Sequence, residues 1–175
     1  MQVTCYRKHN LSYAIIDDYL TKQDHKEVLA EVKDLKRLAV SAEIISAGSA
    51  KDINGNYRNS GDGVFVDHLY GSSRTASPIL CTGEKIFDLE LGQVLEKFDV
   101  VFSFIRKSSR DEILINYYAP GQVYKTHNDI CNITAITLLG CGDFTGGGFC
   151  FPEQDVEIKF KQGRTIVFPS CAEHC

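Results

Sequence analysis

The sequence predicts an α+β domain in which helices cover one face of a β-sandwich or barrel. Three observations carry that prediction: an amphipathic repeat near the start of the chain, a series of short apolar runs punctuated by turn residues after position 100, and a length of 175 residues. A fold of about 150 residues buries roughly 68–70% of its unfolded surface, so a single domain spanning residues 1–175 needs no disulfide staples. With 43% hydrophobic and 24% charged residues, 14 Gly and 4 Pro, the chain is neither collagen-like, low-complexity nor wholly disordered.

The first helix is expected over 21–39. Val28, Leu29, Val32, Leu35 and Ala39 recur at helical spacing, while Lys26, Glu27, Lys33, Asp34 and Arg37 lie elsewhere around the helix. Thr21 is its expected N-cap, with Asp24 three residues on. A second helix is expected between Pro78 and Phe98, opened by Ser77-Pro78 and open to a break at Gly83 or Gly92. Between them, residues 48–63 (GSAKDINGNYRNSGDG) are rich in Gly, Asn, Ser and Asp and read as a long surface loop or hairpin. The strands are expected at VVFSFI (100–105), ILINYY (113–118), NITAITLLG (132–140), GGFCF (147–151), VEIKF (156–160) and TIVFP (165–169). Turns at Ala119-Pro120-Gly121, Gly142-Asp143, Pro152-Glu153 and Gln162-Gly163 separate them.

Nineteen basic against 23 acidic side chains give a formal charge of −4, so no global field attracts a polyanion and nucleic acid is not an expected partner. No stretch approaches the roughly 18 apolar residues of a membrane span, and the polar start MQVTCYRKHN is unlike a signal peptide. A cytoplasmic location without membrane contact is the expectation. Seven cysteines, an odd number with no CxxC pair, fit it as reduced thiols.

His127-Asn128-Asp129 is the most informative tripeptide. On an extended strand, residues two apart share a face, so His127 and Asp129 can offer an imidazole nitrogen and a carboxylate oxygen to one ion. His174, just after TIVFPS, is the candidate third ligand if a returning strand lies beside the first pair. Two histidines and a carboxylate on one face of an octahedral ion leave three positions open, the arrangement of non-haem Fe(II) oxygenases. An isolated His-x-Asp is weak evidence, because most such tripeptides are surface polar clusters or turns.

The surrounding pattern is more specific. Tyr-x-x-Gly-x-x-Tyr-x-x-His-x-Asp (118–129), Thr134-x-x-x-Leu138-Leu139, the glycine run 146–148 between Phe144 and Phe151, and Gly163-Arg164-x-x-x-Phe168-Pro169-Ser170 followed by His174 occur in order. Together with the strand-then-helix opening AIIDDYLTKQDHKEVLAEV, they resemble the prolyl-4-hydroxylase-like branch of the 2-oxoglutarate and Fe(II) dependent dioxygenases over about two thirds of the chain.

The resemblance implies a double-stranded β-helix, or jelly roll, with N-terminal supporting helices. It also implies an oxidoreductase: a hydroxylase that couples O2 and 2-oxoglutarate to hydroxylation of a substrate C–H, releasing succinate and CO2. Fe(II) and 2-oxoglutarate are the implied cofactors, with ascorbate an additional one. His127, Asp129 and His174 are the implied metal-binding and catalytic residues. Tyr118 matches the tyrosine that binds the 2-oxoglutarate carboxylate, and Tyr124 and Arg58 are assigned to the substrate. That substrate is a protein or peptide, a peptidyl proline first, or a small molecule, with residues 48–63 and 64–75 as lid elements.

The family anchors the far carboxylate of 2-oxoglutarate with an Arg or Lys several residues beyond the second histidine. After His127 the only basic residues are Lys159, Lys161 and Arg164, and Arg164 is expected in an exposed turn. The resemblance therefore carries the expectation that the natural chain continues past Cys175 into a strand bearing that cation, and that these 175 residues alone do not turn over. Other readings are a Zn-dependent hydrolase, a non-catalytic jelly-roll metal- or ligand-binding module, and a structural zinc site at Cys171, His174 and Cys175.

Overall fold

The computed structural model describes residues 1–45 and 50–175. Gly48 and Ser49 of the expected long loop lie outside the described residues. The chain opens with an antiparallel hairpin, β1 (Gln2–Lys8) and β2 (Leu11–Asp17), whose seven residue pairs run from Gln2 opposite Asp17 to Lys8 opposite Leu11; β2 is the strand of the expected strand-then-helix opening, and β1 was not expected. Helix α1 (Lys22–Leu35) follows, and its start is the one expected. Thr21 accepts from the Asp24 amide while the Asp24 side chain accepts from the Thr21 amide, a complete capping box. A 3-10 turn, Lys36–Leu38, carries it on.

Strand β3 (Val40–Ser41), helix α2 (Ala42–Ile45), strand β4 (Asp62–Phe65) and helix α3 (Val66–Tyr70) come next, then α4 (Pro78–Gly83) and α5 (Leu89–Phe98). The helix expected between Pro78 and Phe98 is thus broken after Gly83, one of the two glycines at which a break was expected. A 3-10 turn, Glu84–Phe87, intervenes, and Asp88 restarts the helix by accepting from the Leu91 amide. Gly92 stays inside α5, where a Cβ would meet the Arg106 methylenes at 3.1 Å.

The expected strand at 100–105 is instead a 3-10 turn, Val100–Phe102, running into helix α6 (Ser103–Lys107). A short apolar run cannot distinguish a strand from a buried helix by periodicity. Here Asp99 caps the turn through the Val101 amide, and helical geometry buries Phe102 and Ile105 together.

The remaining expected strands are present, β9 (Thr165–Pro169) at its expected bounds and the others shorter: β5 (Leu114–Tyr117), β6 (Ile133–Thr137), β7 (Phe149–Phe151) and β8 (Val156–Ile158). They form three antiparallel sheets, ordered β1-β2-β9-β6, β3-β4-β5 and β7-β8. The described strands close no barrel, so the mixed α and β class is observed and the architecture remains three separate sheets.

Period-2 alternation divides the core. From β2 and β9, Ala14, Ile16 and Val167 face α5 and α6, where they meet Leu91, Leu95, Phe102 and Ile105. Leu11, Tyr13, Ile166 and Phe168 face the other way, onto Phe149, Phe151 and Ile158 of β7-β8. The four-stranded sheet is therefore covered by helices on one side and by a second β layer on the other. A third cluster joins α1 to α4 and β4 through Val28, Val32, Val64 and Leu80.

Residues 64–75 are tied to this body at both ends. Val64 and Val66 are buried, and the Arg74 guanidinium pairs with Asp67 and, through two bonds of 2.9 Å, with Asp111. Within the longer loop, Asp52 accepts from the Asn54 and Asn56 amides, both at 2.9 Å, around a left-handed Gly55.

The cysteines depart from expectation. Cys150 and Cys175 form a disulfide, and the other five are free. The two are adjacent because their backbones exchange hydrogen bonds of 2.8 and 3.0 Å. This pairing could not be read from spacings of 25 residues, and it removes Cys175 as a zinc thiolate. In the loop-entropy account, a cross-link of that span restrains the unfolded chain by roughly 3–4 kcal/mol.

Arg164 is not a solvated turn residue. Its guanidinium grips Asp17 at the end of β2 with bonds of 2.8 and 2.9 Å, and Lys161 joins at 3.0 Å. These bonds, Arg164 first, hold the Asp17 carboxyl down to about 2. A depressed folded value means that stabilisation is complete above the ordinary value of 3.8 and disappears as pH falls toward 2. Asp17→Asn should therefore cost on the order of 1–2 kcal/mol at pH 7, after allowance for the partly exposed lysine. Urea unfolding at pH 7, 4 and 2.5 checks this: the gap between variant and parent should shrink progressively on acidification.

Candidate metal centre

The segment after β9 returns beside the segment after β5, and that return builds the site. The His127 amide donates to the His174 carbonyl and the His174 amide to the His127 carbonyl, each at 2.9 Å. One residue on, Cys175 pairs with Cys150 in β7, so the returning segment is held on both sides. The Asp129 amide donates to the Ser170 carbonyl at 3.0 Å, and the Asn128 side chain donates to the Cys171 carbonyl at 2.6 Å.

This clamp brings together the three residues singled out in the sequence. Ligand atoms of His127, Asp129 and His174 all lie within 4.8 Å of one another. The His127 Nε2 is 3.6 Å from Asp129 Oδ1, and the His174 Nε2 is 3.6 Å from Asp129 Oδ2. Both histidines are buried, at 6% and 2% exposure, while Asp129 is half-buried.

The imidazole tautomers follow from their partners. Each Nδ1 faces a carbonyl two residues back, His127 to Lys125 at 2.9 Å and His174 to Ala172 at 3.0 Å. A carbonyl only accepts, so Nδ1 carries the proton and the Nε2 lone pair points at the cluster. Burial, reinforced by neighbouring His174, lowers the His127 value against the opposing pull of the Lys125 carbonyl and Asp129. A neutral imidazole is the form that ligates.

Neighbouring cis ligands of an octahedral ion held at about 2.0–2.2 Å lie roughly 3 Å apart. Closing 3.6 Å to that spacing takes only small side-chain shifts. Two imidazoles and one carboxylate fit a divalent cation and leave half of an octahedral shell open.

The aromatic surroundings are partly those expected. The Tyr124 ring stacks on His127 at 3.5 Å between centroids and 9° between planes, and its hydroxyl accepts from the Ala50 amide at 3.3 Å. Tyr124 thus braces a ligand. On the other side, Phe149 and Phe168 enclose the His174 ring at 5.5 and 4.8 Å.

Arg58 donates to the Lys51 carbonyl and, closely, to the Thr126 carbonyl next to His127, so its guanidinium ties the loop to the ligand-bearing strand. Tyr118 is 47% exposed and lies over Gly61, where a Cβ would come within 2.8 Å of its ring. Burial of its phenol end, with Tyr124 nearby, pushes its ionisation up, so the hydroxyl stays protonated.

The glycine run 146–148 is irregular backbone just before β7, with Gly146 and Gly147 at φ +90° and +70°. The carbonyls of Lys125 and Ala172 escaped sequence reasoning because any residue type supplies them. Among the described residues, no helix is long and apolar enough to cross a membrane. No protein-family model, curated protein or solved structure matches the chain.

Asp129→Ala should lower affinity for Mn(II) by at least tenfold, because it removes the only anionic group of the three. Its unfolding midpoint should stay near that of the parent, since Asp129 is half-buried and outside the apolar clusters. Calorimetric titration and thermal unfolding on the same preparation check the two halves of that expectation.

Proposed function

We propose that the protein is an Fe(II) and 2-oxoglutarate dependent dioxygenase that hydroxylates a substrate C–H with release of succinate and CO2. The observation that carries this reading is the convergence of two Nδ1-protonated imidazoles and one carboxylate in a buried, partly aromatic setting. That donor set belongs to facial-triad Fe(II) sites, and the ordered motifs around it resemble this family. His127, Asp129 and His174 would hold the iron, which supplies O2 activation coupled to decarboxylation of the keto acid.

The chain's own residues fix the rest. Backbone pairing sets the ligand directions, and Tyr124 with the Phe149 and Phe168 rings keeps water from the imidazoles. Tyr118, neutral over the working pH range, offers an O–H to a carboxylate of 2-oxoglutarate. The jelly-roll assignment belongs to the same proposal, supported by two β layers packed face to face. A peptidyl proline is the first substrate to test, with other protein side chains and small metabolites after it.

A second reading, a non-catalytic metal- or ligand-binding module, draws on one observation. Arg164 and Lys161, two of the three basic residues after His127, are already paired with Asp17. Neither is free to meet the far carboxylate of 2-oxoglutarate, and leaving that carboxylate buried without a cation would cost several kcal/mol.

Succinate release from 2-oxoglutarate with Fe(II) in air separates the readings. The dioxygenase reading expects release that His127→Ala abolishes, and release by these 175 residues would set aside the expectation that they do not turn over alone. Metal binding with neither 2-oxoglutarate binding nor consumption favours the module. Where turnover is present, Tyr118→Phe should raise the apparent KM for 2-oxoglutarate by roughly ten- to hundredfold, the worth of a charge-assisted hydrogen bond. An unchanged KM would assign Tyr118 to packing against Gly61.

A further inference from the structure

Three side chains beyond the ligand set form a continuous line to Asp129. Thr134 Oγ1, on β6, donates to Asp129 Oδ2 at 2.6 Å. The same oxygen lies 2.7 Å from Ser170 Oγ, and Ser170 Oγ lies 2.9 Å from Cys131 Sγ. Ser170 is fully buried, Thr134 is half-buried, and Cys131 is exposed.

Proton counting fixes the direction of every bond in this line. An ionised carboxylate only accepts, so the single Thr134 hydroxyl proton lies on the bond to Asp129. The Thr134 to Ser170 contact must then use the Ser170 proton, and the Ser170 to Cys131 contact must use the thiol proton. The order is Cys131 S–H to Ser170 O–H to Thr134 O–H to the Asp129 carboxylate. Cys131 also lies 3.5 Å from the Ile133 carbonyl and 3.6 Å from Thr134 Oγ1, but Ser170 is its nearest partner.

The backbone makes the line stiff. Thr134 sits opposite Phe168 in the β6-β9 ladder, and Ser170 follows that ladder directly. The Ser170 carbonyl accepts the Asp129 amide at 3.0 Å, and the Ser170 amide donates to the Asn132 carbonyl at 3.2 Å. Backbone and side chain of Asp129 are therefore referenced to the same two strands.

We propose that Thr134 and Ser170 are positioning residues for Asp129: by holding Oδ2, which lies 3.6 Å from His174 Nε2, they fix the angle at which the carboxylate meets the two imidazoles, with Oδ1 3.6 Å from His127 Nε2. The inference rests on reading His127, Asp129 and His174 as a metal centre. A donor aligned on one carboxylate oxygen restricts rotation about the Cβ–Cγ bond. Outer partners of this kind are worth about 10- to 100-fold in metal affinity.

The test uses Mn(II) titration for affinity and the visible absorption of the Co(II) form for ligand geometry. Parent, Thr134→Val, Thr134→Ser, Ser170→Ala and Asp129→Ala proteins are compared, with thermal unfolding of each metal-free protein as the fold control. Thr134→Val keeps the shape and deletes the donor, so Mn(II) affinity should fall about 10- to 100-fold and the Co(II) bands should shift. Thr134→Ser restores the hydroxyl and should recover affinity to within about threefold, a rescue that simple packing would not produce. Ser170→Ala should lie between Thr134→Val and the parent.

A folded Thr134→Val protein with parental affinity and Co(II) spectrum, alongside a weakened Asp129→Ala, overturns the positioning role and leaves the centre standing. A parent that binds neither ion, or binds them as Asp129→Ala does, overturns the centre and the inference together. If Thr134→Val does not fold, Ser170→Ala decides: parental affinity and spectrum there overturn the proposal, and a loss with shifted bands supports it.

Discussion

The reciprocal pair of backbone hydrogen bonds between His127 and His174 is the constraint on which the candidate site depends. It sets two residues from distant parts of the chain side by side with their imidazoles on a common cluster. Because the bonds are main-chain, they fix Cα positions irrespective of side-chain identity, and the side chains remain free for other work. The Cys150–Cys175 disulfide and the bonds from Asp129 to Ser170 and from Asn128 to Cys171 extend the same pairing, so the returning segment is registered at several points.

Electrostatics explains why such a clamp is compatible with burial. Two nearly inaccessible imidazoles are tolerable as neutral rings whose Nδ1–H groups are satisfied by local carbonyls. Asp129 is the anion of the trio, relieved by the Thr134 hydroxyl. Several cations elsewhere serve the framework instead: Arg164 and Lys161 close β2 on the turn before β9, Arg7 reaches Asp99 before α6, and Arg74 gathers Asp67, Asp111 and Glu84. Two neutral nitrogens and one carboxylate form a pocket of net negative charge, which a divalent cation complements.

Legibility in the sequence followed the range of the interactions involved. The Thr21 capping box and the stripe Val28, Val32, Leu35 are local, and both read correctly. Residues 100–105 did not, since an unbroken apolar run fits either period and only packing against α5 selects the helix. Strand β1 was missed, though its partner β2 was not, because β1 mixes exposed charged and polar residues with half-buried ones. The disulfide and the Arg164 pair with Asp17 link segments that only the tertiary fold brings together. The ligand trio was legible as residue types in order, whereas its closure needed the structure.

The residues assigned beforehand to substrate show how a site is divided between chemistry and support. Arg58 and Tyr124 both lie close to His127, yet the first is used on carbonyls flanking the loop and the second on the imidazole face. A guanidinium bound to a backbone carbonyl has already exchanged water for protein, so redirecting it to a ligand would leave that carbonyl unpaired. A ring stacked at 3.5 Å likewise has one face fully used. Tyr118 is different: it is braced from beneath by Gly61, where no larger residue fits, and it keeps a protonated hydroxyl. Arg58 and Tyr124, the two residues beside His127, thus sort by what their polar atoms and ring faces already hold.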